Sequence, residues 1–172
     1  MSPTPLIVYF AYPGDLETQT GGYRYDRRLI SEMQSFDGVE VRPLALPLNS
    51  LAPDQQTLAA VGQVFANLPD QAVVIVDGLA FGILDDMAVA QSKRLRLIAL
   101  CHHPLALETG IDETERDTLF ASEKRALSCA VATIVTSHHT RQILIEQFDL
   151  PGESIVAALP GTDPAPFAPC KG

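Results

Sequence analysis

The chain has 172 residues and a mass of 18.6 kDa, which one domain with a short tail accounts for. It is 47% hydrophobic and 19% charged, so it can bury a full core without disulfide or metal staples. Twelve Lys and Arg against 21 Asp and Glu leave a net charge of −9, which argues against nucleic acid as a partner and requires any bound phosphate to be held by local amides or a few arginines.

Short apolar runs alternate with longer amphipathic ones. Leu6–Ala11 is a continuous apolar run of strand length, and Tyr23–Met33 carries Tyr25, Leu29, Ile30 and Met33 at helical spacing, with Asp26, Arg27 and Arg28 assigned to the opposite, polar side. Val39–Leu46 reads as the second strand, and Pro53 opens a helix over 55–67. Ala72–Val76 is a third strand, all apolar as a strand covered on both faces must be. Leu95–Leu100 and Val131–Thr136 repeat that pattern, Ile155–Leu159 is a shorter sixth run, and helices are predicted over 84–92, 113–128 and 140–147. This alternation predicts an α/β fold, a Rossmann-like three-layer sandwich with a mostly parallel sheet of about six strands and helices on both faces. From Pro160 the sequence turns proline-rich, so residues 1–159 are expected to form the domain and 160–172 the start of an interdomain linker, with a second domain beyond it. No apolar run approaches the roughly 20 residues that span a bilayer. Cys101, Cys129 and Cys170 form no CxxC pair and no signal peptide is evident, so the expectation is reduced thiols in a cytoplasmic protein.

In such sheets ligands bind beyond the carboxyl ends of the strands, near the point where strand order reverses. The residues there are the loop 12–25, Asp77-Gly78, Cys101-His102-His103-Pro104 and Ser137-His138-His139. Gly21-Gly22-Tyr23 opens a helix, where glycines permit close backbone approach and free amides favour an anion; the alternative is an ordinary turn. The GxGxxG, GxxxxGK[ST] and GxSxG patterns are absent, which argues against NAD, P-loop and α/β-hydrolase chemistry. Neighbouring strand residues point to opposite faces, so one of His102 and His103 is expected to enter the cleft and the other to turn into the structure. No HExxH or similar spacing supports zinc, and neither metal nor cofactor is expected. His138 and His139 read as helix-start residues. Asp77 is either an active-site carboxylate or a cap for the turn that follows.

These motifs, in this order, resemble the retaining glycosyltransferases of family four, which have the two-domain GT-B fold. The resemblance runs through Gly21-Gly22 and Tyr23–Leu29, through Ile98-Ala-Leu-Cys-His-His-Pro104 and Ile134-Val-Thr-Ser137, and through Pro160-Gly-Thr-Asp-Pro-Ala-Pro-Phe167. It implies that this is the amino-terminal, acceptor-side domain of a sugar transferase. His102 or His103 would then stand beside the transferred sugar, with Gly21, Gly22, Tyr23, Asp77 and Ser137 binding substrate. The implied partners are a nucleotide-sugar donor, held mainly by a second domain, and a sugar, lipid or small-molecule acceptor. Weak self-association is a further expectation. The rival readings are a non-catalytic acceptor-binding or split-transferase subunit that needs a partner chain, and a small metal-dependent hydrolase built on the paired histidines.

Overall fold

The computed structural model describes residues 4–163. Six strands form one all-parallel sheet in the order β2-β1-β3-β4-β5-β6: β1 (Leu6–Pro13), β2 (Val39–Leu46), β3 (Val73–Asp77), β4 (Arg96–Cys101), β5 (Ala132–Val135) and β6 (Ile155–Ala157). The connections carry α1 (Gly21–Gln34), α2 (Gln55–Ala66), a one-turn α3 (Gly78–Phe81), α4 (Asp85–Gln91), α5 (Glu113–Leu127) and α6 (His138–Glu146). The chain goes outward from β1 to β2 and returns across β1 to β3. Strand order therefore reverses between β1 and β3.

Strand alternation sorts the core into two layers. Odd residues of β1 and even residues of β3, Ala11, Val74 and Val76, join the larger cluster with Val61 and Phe65 of α2, Ala88 of α4, Leu119 and Ala126 of α5 and Leu144 of α6. The opposite parity, Val8, Phe10, Ile75 and Leu100, packs on Ile30, Leu29 and Met33 of α1. Helices thus cover both faces, with α1 supplying all the helical residues of the second cluster. Five helices begin at a short polar side chain that accepts from their own first turn: Thr20 from Tyr23 N, Asp54 from Thr57 N, Asp77 from Leu79 N, Asp112 from Glu115 N and Ser137 from Thr140 N.

The strands predicted from sequence all form, and β2 has the predicted bounds. Two expectations are corrected. The third strand runs to Asp77, and the single turn α3 follows it at once. Asp26, assigned to the polar side of its helix, has no exposed surface at all. It heads the stripe 26, 29, 30 and 33, whose i, i+3, i+4, i+7 spacing turns that face inward. The proline-rich segment lies outside the described residues from Pro164 onward.

Glu123, on α5, is a second buried carboxylate, 2% exposed. Its oxygens accept from Leu105 N (3.1 Å) and Ala106 N (3.3 Å), fixing the 3-10 turn Leu105–Leu107 that follows the two histidines. Burial pushes its pKa up to about 7, against the opposing pull of those two amides. Because the folded state holds this proton more tightly than the unfolded chain, stability falls as pH rises from about 4.5 to about 7. The Glu123→Gln variant, unable to ionise, should show a shallower fall of melting temperature across that window. The difference should be at most about 3 kcal/mol, checked by thermal denaturation at stepped pH.

Candidate functional site

Parity and register decide what meets at the switch point. Residues 73 and 75 of β3 and 98 and 100 of β4 face α1, so the next positions on that side are Asp77 and His102. From the opposite wall α1 contributes Asp26, one turn in from its start. The three side chains converge. Nε2 of His102 lies 3.0 Å from Oδ1 of Asp26 and 3.6 Å from Oδ2 of Asp77. Both carboxylates are buried, while 24% of the imidazole side chain remains exposed.

Asp77 caps the turn that follows it and also meets the imidazole. Its Oδ1 accepts from Leu79 N (2.9 Å), capping α3, while its Oδ2 faces the imidazole. The backbone of α3 is packed so tightly that a Cβ on Gly78 would sit 2.9 Å from the Leu100 carbonyl oxygen. Only glycine lets β4 come this near, and β4 carries His102 on its end. The His102 carbonyl oxygen accepts from the hydroxyls of Thr140 (3.2 Å) and Thr136 (3.4 Å). Tyr25 meets the imidazole edge-on, with ring centroids 5.3 Å apart and planes at 87°.

Electrostatics follow from burial. Loss of water raises the Asp26 carboxyl to about 6 against the pull of the imidazole, and Asp77 close by raises it further. For His102 burial pulls the other way, but the two carboxylates outweigh it and lift the imidazole to about 9. Between those two values an imidazolium faces an ionised Asp26. The Oδ2 atom of Asp26 has no hydrogen-bond partner among the described residues. One ligand atom from each of Asp26, Asp77 and His102 lies within 4.8 Å of the others, a spacing that a small cation could bridge. Such a cation and the proton on Nε2 would occupy the same place.

The glycines stand directly above. Gly21 and Gly22 are the first residues of α1, behind the Thr20 cap, and their amides have no partner among the described residues. A Cβ on Gly21 would meet nothing within 4 Å, while one on Gly22 would come to 3.6 Å from Cδ2 and 3.7 Å from Nε2 of His102. The left-handed turn of this loop is made by Gly14, with φ of 63°, and not by the glycine pair. Tyr23 donates from its hydroxyl to Pro13 O (2.7 Å), and Arg27 donates to the carbonyls of Leu16 and Thr18, so the loop is strapped to α1.

Two open clefts lie against the first turn of α1, one at Gly21 and one at Tyr23. The larger, about 920 Å³, lies between α1 and 158–163 and is walled by Gly21, Arg24, Tyr25 and Arg28. It lies beside the imidazole and does not include it among its walls. The smaller, about 440 Å³, is mostly apolar, with Tyr23, Leu48, Leu51, Leu79 and Ile83 around it.

Of the residues singled out in the sequence, Gly21, Gly22, Tyr23, Asp77 and His102 are therefore brought together. His103 is not: it is exposed, and its Nε2 lies 3.4 Å from the Leu107 carbonyl. The expectation that the second histidine turns into the structure is corrected, because β4 ends at Cys101 and the next loop leaves the sheet. Ser137 serves as the cap of α6, its hydroxyl 2.8 Å from that of Thr140, and reaches the site only through Thr140, which donates to His102 O. His138 and His139 are exposed in the first turn of α6. Asp26 was missed as a site residue, although a carboxylate at the head of an apolar i, i+3, i+4, i+7 stripe was visible in the sequence.

No protein-family model matches this chain, and a search of curated proteins also finds no match. Among the described residues no helix is long and apolar enough to cross a membrane.

Removing the imidazole leaves two buried carboxylates without their counter-charge. The His102→Ala variant should lose about 2–3 kcal/mol at neutral pH, below the full range for a buried pair because part of the ring is in solvent. His103→Ala should fall within about 0.5 kcal/mol of the parent. Urea denaturation of both variants checks the contrast.

Proposed function

We propose that the chain is the acceptor-side domain of a retaining sugar transferase, working with a donor-binding domain in the same polypeptide or in a partner chain. The observation that carries this reading is the stacking of one imidazole, His102, beneath the open amide end of α1 at the point where strand order reverses. Two free amides at the start of α1 favour an anion in a chain whose overall charge of −9 repels it, and the imidazolium beneath them offsets part of the charge of Asp26 and Asp77. That combination suits a sugar nucleotide, whose phosphate must be steadied as the glycosidic bond breaks. The mostly apolar cleft beside Tyr23 then suits the acceptor, and the arginine-walled cleft beside Gly21 suits the phosphates of a donor.

In this reading the chemical share of the domain is positioning and electrostatics. The amides of Gly21 and Gly22 receive phosphate oxygens, and His102 stands against the transferred sugar. The leaving phosphate takes the acceptor's proton as the new bond forms. The reading expects no metal. A metal-dependent hydrolase is the second reading, and the grouping of Asp26, Asp77 and His102 is the observation that favours it. Metal analysis of purified protein separates the two.

The test is a glycosyl-transfer assay across a panel of nucleotide sugars and of lipid, sugar and phosphate acceptors, with and without a donor-binding domain. This chain alone should give no steady turnover, since misplacement by about an ångström costs about 100-fold. With the donor-binding domain present, transfer should appear. Gly22→Val should then lower kcat/KM by about 100-fold with little change in melting temperature, because its methyls would press on the edge of His102 where a bare Cβ makes only ordinary contact. Transfer that is indifferent to Gly22→Val, or absent with every donor, overturns the reading.

A further inference from the structure

We infer that Asp26 is a positioning residue: with Asp77 it grips His102 by Nε2, sets the ring beneath Gly22 and keeps that ring protonated toward a phosphate-bearing ligand. The argument begins with where Asp26 stands. Its neighbours along the same stripe, Leu29, Ile30 and Met33, do nothing but pack on the sheet, and an alanine or leucine at 26 would continue that packing. The structure instead places there a carboxylate with no exposed surface and one oxygen without a partner among the described residues. Burying a charge in this way is unfavourable unless an opposite charge is fixed against it. The group fixed against it is the imidazole.

The direction of the grip defines the protonation. Ionised carboxylates only accept, so a ring nitrogen 3.0 Å from one and 3.6 Å from another has to be the donor. Asp26 and Asp77 therefore hold the proton on Nε2, and two negative charges around one ring favour a second proton on the other nitrogen. Among the described residues, no cation acts on the ring beside the two carboxylates. Tyr25 and Tyr23 come from α1, and burial, with the nearby carboxylates, raises both phenols so that they stay neutral. From the side of β5 and α6 the groups that meet His102 are the hydroxyls of Thr136 and Thr140, both on its carbonyl. The ring is thus held by its nitrogen, by its contact with Tyr25 and by its backbone, while its Cδ2–Nε2 edge lies beside Gly22 at the free end of α1.

The titration of His102, followed by NMR of its ring protons in this chain, tests the grip without reference to any activity. The imidazole of the parent should titrate well above the roughly 6.5 of a free histidine, and Asp26→Asn should bring it down by about one unit or more. Asp77→Asn, which leaves the nearer carboxylate in place, should lower it less. A parent value at or below about 6.5, or no change in Asp26→Asn, overturns the proposal. The parent titration and Asp77→Asn still decide if Asp26→Asn does not fold. Stoichiometric zinc binding that abolishes the titration also overturns it, by showing the three groups to be metal ligands. A second readout rests on the transferase reading: pyrophosphate binding at about pH 8 should weaken about twofold or more in Asp26→Asn, as the protonated share of the imidazole falls from about nine-tenths to about half or less, and should match the parent at about pH 5.5, where the imidazole is protonated in both proteins and Asp26 of the parent has largely lost its charge. A merely structural role for Asp26 would give no such recovery. Failure of pyrophosphate to bind the parent at either pH would count against the phosphate ligand and the reading behind it, while the titration would still judge the grip.

Discussion

A carboxylate that cannot reach water has to be neutralised where it stands, and that requirement organises the carboxyl end of this sheet. Asp26 lies on α1, Asp77 on the last residue of β3 and His102 just past β4. The imidazole can face both carboxylates at once only if the three elements keep their spacing. Much of the surrounding detail serves that spacing. Gly78 lets β4 close on α3, Thr136 and Thr140 hold the His102 backbone, and Glu123 pins the turn that leads the chain away. The buried charge is thus a constraint on geometry as much as a contribution to stability.

The sheet was legible in the sequence for a simple physical reason. Strands covered on both faces must be apolar along their whole length, and Leu6–Ala11, Ala72–Val76 and Leu95–Leu100 read as such. A helix start was legible where proline precedes the amphipathic run, as at Pro53, although the caps Asp54 and Asp112 went unread. The turn α3 was not, because four residues carry no periodicity, and the residue that ends β3 is the same one that caps the turn.

The site was legible in part. Glycines before a helix and polar residues after apolar strands marked Gly21, Gly22, Asp77 and His102, because that is where a parallel sheet exposes its chemistry. Alternation alone could not choose between His102 and His103, since it requires knowing which face α1 covers. The structure supplies this, for the parity that carries Ile75 and Leu100 on to α1 also carries Asp77 and His102. Asp26 went unseen for a different reason. Its charge points to solvent, while its position in the helical stripe points to the core.

Tyr25 gives this arrangement a mechanical side. Its ring abuts the imidazole, and its hydroxyl donates to Ala158 O (2.8 Å), in the segment that leaves β6. That one side chain is a rigid strut about as long as a phenol, with the buried charge at one end and the departing chain at the other. A tug on the chain beyond Ala158 that kept this hydrogen bond would tilt the ring rather than dissipate in a loop, and the imidazole would feel it as a change in the wall at its edge.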